Sequence, residues 1–189
     1  MLGLVGDPYA ALLALDAWSP DRLRELVGRA LDTAAPPAIA AYDGDRARLF
    51  PLFRLADDSD REIASCLARG TVLVAVAAAE IVGHVQMLEA GAPATWELKS
   101  LAVAEGHRRH DLGRHLVEAG LAHARDRGAS RVLLATGAAD TALLRFYQRL
   151  GFRMLRIDRD AFTPATGYPP ALLVDGIRLI DRVWLDVTW

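Results

Sequence analysis

The stretch "LAVAEGHRRHDLGRHLV", residues 101–117, decides how this chain is read. It opens on apolar residues that suit a strand end, crosses a polar loop, and enters a helical pattern with apolar positions three and four apart. Where a strand hands over to a helix, several backbone N–H groups lack partners, and the positive end of the helix dipole lies behind them. Such a junction is an anion site by construction. Asp111 puts a carboxylate on it. Aspartate tolerates left-handed backbone better than most residues, so the loop can keep its shape. Acting as a helix N-cap, however, the carboxylate would compete with an incoming anion for the same amides. Arg108, Arg109 and Arg114 offset one negative charge, and solvent screens an exposed charge over about 10 Å. Weakened anion binding, rather than none, is the expectation.

Working outward, "TWELKSLAVA" (95–104) reads as the strand that feeds the loop. Strict alternation places Glu97, Lys99, Leu101 and Val103 on one face and Trp96, Leu98, Ser100 and Ala102 on the other. The helix after the loop turns Leu112, Leu116, Val117, Leu121 and Ala124 inward and ends at Gly128. "RVLLAT" (131–136) is a short buried strand, and "DTALLRFYQRLG" (140–151) a helix capped by Asp140 and closed by Gly151. Upstream, "TVLVAVAA" and "EIVGHVQMLE" form a hairpin, preceded by a helix from Ser59 to Gly70, helical turns at 45–56 interrupted by Pro51, and an extended piece at "AIAAY". Downstream come a strand, "FRMLRI", the loop "DAFTPATGYPP", and a closing pair, "ALLV" and "IRLIDRVWLDV", joined by Asp175-Gly176. Residues 1–37 read as a helical extension, with a helix at 20–32 started by Ser19, Pro20 and Asp21. The expectation for 38–189 is an α/β domain (α+β, mixed sheet) with helices on the sheet's faces.

Composition narrows the functions available. At 189 residues, 52% of them apolar, the chain suits one domain with a short appendage. A net charge of -2 gives no global attraction to nucleic acid or to an acidic membrane. The single cysteine, Cys66, excludes an internal disulfide and a thiolate-rich metal cluster, and fits a reducing, cytoplasmic setting. The first residues make a poor secretory signal, and no apolar run approaches the roughly 20 residues that cross a bilayer.

Taken with "RFYQRLGF" (145–152), the opening stretch resembles the GCN5-related N-acetyltransferases, the GNAT superfamily. That family's loop runs Arg or Gln, two residues, Gly, one residue, Gly or Ala. Arg108 and Gly113 match it, and Asp111 takes the place of the first glycine. The resemblance, over roughly 38–189, implies the acyl-CoA N-acyltransferase fold, acetyl-CoA as co-substrate, and acetyl transfer to a primary amine of a small molecule or peptide. It implies that Leu101, Ala102 and Val103 hold the pantetheine arm, through the amides of Leu101 and Val103. Arg108, Arg109, His110, Asp111, Leu112, Gly113 and Arg114 then hold the pyrophosphate. Tyr147 stands where the family's tyrosine protonates the departing thiolate, and a phenol, un-ionised at neutral pH, suits that role. Read without the family, it is a core aromatic. Glu97 stands where relatives carry a glutamate that takes the amine's proton, and is otherwise a strand carboxylate paired with Lys99.

Other residues carry weaker readings. Asp140 sits where relatives often have asparagine, and the helix cap explains it. His107, His110 and His115 match no common zinc spacing, so no metal is expected. Cys66 reads as a buried thiol. Phe162 and Tyr168 either wall an acceptor cleft or pack a connector. The rival reading is a non-catalytic acyl-CoA-binding or protein-interaction module in which Asp111 marks a decayed site. A homodimer is the base-rate expectation for assembly.

Overall fold

The hairpin expected from two β-rich runs forms as β2 (Thr71–Ala77) and β3 (Glu80–Glu89), and the rest of the sheet grows from it. These strands belong to a computed structural model that describes residues 37–108 and 111–189. The expected helix at 20–32, the extension to residue 36, Arg109 and His110 all lie outside the described residues. On one side of the hairpin β1 (Ala38–Ala41) pairs with β2, and on the other β4 (Thr95–Val103) pairs with β3, all antiparallel. The chain then crosses through α3 (Leu112–Arg125) to β5 (Arg131–Gly137), which is parallel to β4. A second crossing, α4 (Thr141–Arg149), leads to β6 (Arg153–Asp158). The final strand, β9 (Arg182–Thr188), inserts between β5 and β6 and runs antiparallel to both. The seven-stranded order is β1-β2-β3-β4-β5-β9-β6.

The closing pair differs from the expected long hairpin. Asp175-Gly176 closes only a two-residue ladder, β7 (Leu173–Val174) with β8 (Ile177–Arg178). The chain then leaves this ladder and joins the main sheet as β9, because Val183 and Leu185 find a buried face there.

Alternation along β2 sends residues to two cores. Leu73 and Ala75 face α3, where Leu112, Leu116 and Val117 are at most 1% exposed. Val72 and Val74 face the opposite layer, formed by α1 (Phe50–Phe53) and α2 (Asp60–Cys66). Phe53 and Ile63, each 1% exposed, pin that layer to the sheet, and such burial contributes roughly 1.5–3 kcal/mol per side chain. The α2 helix starts as read: the Ser59 hydroxyl accepts from the Glu62 N–H at 3.3 Å. Its end is tied by Gln86, whose Nε2 donates to the carbonyls of Cys66 (2.6 Å) and Arg69 (2.8 Å). Cys66 is buried, as expected. Opposite, α3 approaches the sheet closely at Gly120, where a Cβ would stand 2.9 Å from the Met87 sulfur.

Strict alternation in β4 does not hold. Gln86 pairs with Ser100 and Met87 with Leu98, so Lys99 is an extra, unpaired residue, a bulge that shifts every later side chain by one face. Leu101 and Val103 therefore join Trp96 and Leu98 on the α3 side. Ser100 points the other way and hydrogen bonds His84 Nε2 at 2.8 Å, and the His84 ring stacks on Phe53 at 4.2 Å. Glu97 shares its face with Ser100 and Ala102, not with Leu101 and Val103.

Candidate active site

Strands β4 and β5 pair only from Thr95 to Leu98 against Arg131 to Leu134. Beyond Leu98 they part, while β4 stays bonded to β3 and β5 to β9, and a cleft of about 540 Å³ opens between them. The Ala104 N–H donates to the Val82 carbonyl at 2.8 Å, which fixes the phase of the β3–β4 ladder. In an antiparallel ladder the polar groups alternate sides, so those of Leu101 and Val103 turn away from β3 and into the cleft. Main-chain donors there lack strand partners and need some other acceptor.

The loop at the cleft's end answers the question raised by Asp111. Its backbone is left-handed (φ 52°, ψ 11°), the conformation that glycine in this place would supply. The capping weighed for Asp111 does not occur: its side chain accepts no hydrogen bond from the backbone N–H groups of the helix's first turn. A capping residue needs extended backbone to fold its side chain over those amides, and a left-handed one directs it elsewhere. The carboxylate turns instead to Arg114 at 3.2 Å, and Arg114 also meets Glu118 at 3.2 Å. These charged groups raise the Arg114 pKa, the Asp111 hydrogen bond contributing most. The N–H groups of Leu112, Gly113 and Arg114 thus keep the open character of a helix N-terminus. The Arg108 side chain folds back, its Nε donating to the Val103 carbonyl at 3.1 Å.

Most of the expected cofactor residues come together. Leu101, Ala102 and Val103 line the cleft with Arg108, Asp111, Gly113, Arg114 and Tyr147. The side chain of Leu112, 1% exposed, belongs to the core, so that residue offers the cleft only its amide. A Cβ at Gly113 would stand 3.5 Å from Phe146 and 4.0 Å from Val103, two cleft walls, so glycine keeps this stretch of cleft clear. Unpaired strand amides, an uncapped helix start and a glycine at the wall fit a phosphate-bearing thioester. Tyr147 is 6% exposed, and burial, with the nearby charge of Asp140, pushes its phenol well above the usual range. Among the described residues its hydroxyl has no hydrogen-bond partner.

Glu97 faces a neighbouring cavity of about 310 Å³, where Lys99 Nζ stands 3.8 Å from its carboxylate. The cavity and the cleft share the walls Leu55, Ala56, Lys99, Ala135, Thr136, Asp140 and Leu143. Phe162 and Tyr168 do line this space, with their rings edge to face at 4.8 Å. Sequence reading missed Asp57, which also lines it. Its Oδ1 accepts from the Ser59 N–H at 2.8 Å and its Oδ2 from the Tyr168 hydroxyl at 3.3 Å. Desolvation raises the Asp57 pKa above the ordinary carboxylate value, against the lowering effect of those hydrogen bonds. The available signal was the D-x-S spacing ahead of a helix, an Asx turn that reads as local structure. Among the described residues no group of three or more His, Cys, Asp or Glu is placed to hold a metal ion, and no helix is long and apolar enough to cross a membrane.

A mixed sheet splayed at its centre, with an open helix start at the end of the gap, gives an elongated cleft edged by unpaired amides beside a second pocket. Residues 23–152 match the acetyltransferase (GNAT) family, and the chain belongs to it. The matched region begins inside the stretch read as an N-terminal extension. The chain is 33% identical over 141 residues to an uncharacterised N-acetyltransferase, YvbK, of Bacillus subtilis, covering 74% of this chain and 89% of that protein. The crystal structure of a Bacillus subtilis acetyltransferase in complex with CoA is similar at a TM-score of 0.74 and 29% identity, over 81% of this chain and 99% of that one. A GNAT family acetyltransferase from Elizabethkingia anophelis, with acetyl-CoA bound, is similar at a TM-score of 0.74 and 26% identity, over 80% and 97% of the two chains.

Proposed function

We propose that the chain transfers an acetyl group from acetyl-CoA to a primary amine of a small molecule or peptide. The observation that carries this reading is the shared wall between cleft and cavity: Tyr147 lies on the cleft side and Glu97 on the cavity side. The β4 amides of Leu101 and Val103 bind the pantetheine arm. The amides from Leu112 to Arg114, with Arg108, Arg109 and His110 before them, hold the pyrophosphate. Asp111 supplies the loop's shape, and its charge is met by Arg114.

The amine enters from the cavity, where Glu97 takes its proton directly or through water. The nitrogen bonds to the thioester carbonyl carbon, the carbon–sulfur bond breaks, and the sulfur leaves with its electron pair. Tyr147, held protonated by its buried setting, donates a proton to that sulfur, and the second proton, shed by the new amide nitrogen, restores the phenol directly or through water. The test is thiol release from acetyl-CoA across a panel of primary amines. Turnover by the unmodified protein, much reduced in Tyr147→Phe, is the expected result. Acetyl-CoA binding with no turnover of any amine would favour the non-catalytic module instead.

A further inference from the structure

The cavity beside Glu97 has an uneven charge balance. Asp57, Asp58, Glu62, Glu97 and Asp140 line it against only Arg54, Lys99 and Arg182. Each of those three cations is already engaged. Arg54 pairs with Asp60, Lys99 stands beside Glu97, and the Arg182 guanidinium lies over the Phe162 ring, 5.2 Å from its centroid.

Asp57 differs from the other acids. It is half-buried, its two oxygens are each fixed by one donor, and among the described residues no lysine or arginine reaches it within salt-bridge distance. Its donors, a backbone N–H and a phenol, are both neutral. Withdrawing a carboxylate from water is costly, and the raised Asp57 pKa reflects that desolvation, which outweighs its two hydrogen bonds and the more distant charge of Lys99. Aromatic groups flank it: Tyr168, which donates to it, Phe162 packed edge-on against Tyr168, and Trp184 on the same lining. Arg182 already lies over the Phe162 ring and Arg156 over the Trp184 ring, 4.6 Å from its centroid, so the seat for an ammonium group here is the Asp57 carboxylate itself. Among the described residues no ammonium occupies that seat, and the cavity shares a wall with the cleft.

We propose that this cavity selects acceptors carrying a second cationic group besides the amine that is acetylated, and that Asp57, aligned by Ser59 and Tyr168, holds that second cation. The proposal rests on the acetyl transfer proposed above. The seat separates two duties: Glu97 takes a proton from one nitrogen, and Asp57 pairs with another that stays charged. A monoamine can satisfy only the first.

The experiment compares kcat/KM for 1,3-diaminopropane to 1,6-diaminohexane with that for the matching n-alkylamines, and titrates acetyl-CoA calorimetrically into every variant. A hydrogen-bonded ion pair at a half-buried carboxylate implies a preference of about tenfold or more for the best diamine over its monoamine. Asp57→Asn should bring that ratio to within about threefold of one, and Tyr168→Phe should lower it part of the way. Retained acetyl-CoA binding shows that each variant is folded. A ratio near one in the unmodified protein, or a preference kept intact in Asp57→Asn, would overturn the proposal. So would turnover of neither series by a protein that binds acetyl-CoA. Absence of acetyl-CoA binding would instead sink the acetyl-transfer reading beneath it.

Discussion

The cleft between β4 and β5 takes its anion-binding groups from the β4 main chain and the loop that follows it, with side chains of β5 and α4 as further walls, whereas the cavity beside it gathers Asp57, Glu97, Phe162 and Trp184 from four distant segments. The first is built by topology. Once β4 and β5 part after Leu98 and Leu134, unpaired amides appear whatever side chains surround them. The second is built by side chains, and its chemistry changes with each substitution. Cofactor handling should therefore survive changes that alter acceptor choice, and the two regions should respond differently to mutation.

The largest separation is expected at Tyr147. Tyr147→Phe should lower kcat by about 10²-fold or more while acetyl-CoA affinity changes by less than about threefold. Steady-state kinetics and calorimetry on one preparation check this. Since burial holds the phenol well above its ordinary pKa, any alkaline fall in kcat below about pH 10 must come from another group. An equal loss of binding and turnover would mean that Tyr147 shapes the cleft rather than the chemistry.

A smaller effect is expected where α3 meets β3. Gly120→Val places a branched side chain against the Met87 sulfur, already 2.9 Å from a simple Cβ, and should cost about 1–3 kcal/mol. Thermal unfolding should show the loss. Acetyl-CoA affinity should fall with it, because α3 carries the loop's amides, while the diamine preference should remain.

The core between β3 and α1, behind both regions, carries a pH signature. His84 is fully buried, and desolvation pushes its imidazole down to about 3. The unfolded chain gains a proton near pH 6.5, and the folded one does not until about pH 3, so protons favour unfolding across that window. The stabilisation is complete above pH 6.5 and is lost as pH falls towards 3, with a slope approaching roughly 1.4 kcal/mol per pH unit. Denaturant unfolding at pH 7, 6 and 5 should show the decline, and His84→Gln should flatten it.

Much of the sheet was legible because β2, β3 and β5 alternate or run apolar in short segments bounded by turn residues. Helix α4 was legible through its cap, Asp140, whose carboxylate accepts from the Leu143 N–H at 2.8 Å. The bulge at Lys99 was not, since one extra residue leaves the pattern of apolar and polar letters unchanged while reversing which face each occupies. Placing Leu101 and Val103 with Glu97 failed for that reason. The end of the chain misled similarly: Asp175-Gly176 signalled a turn truly, but a local signal cannot state that β9 will insert between β5 and β6. Asp57 was hidden because its partner Tyr168 lies 111 residues away.

Acetyl-CoA titrated calorimetrically into the unmodified protein and into Asp111→Gly, at about 0.15 M salt, tests the central claim most directly. The Asp111 carboxylate is exposed, makes no cap and is met by Arg114, so both proteins should bind at an order of micromolar Kd, within about fivefold of each other. Binding absent from the unmodified protein and present only in Asp111→Gly would contradict the account, and would mark the loop as a disabled site.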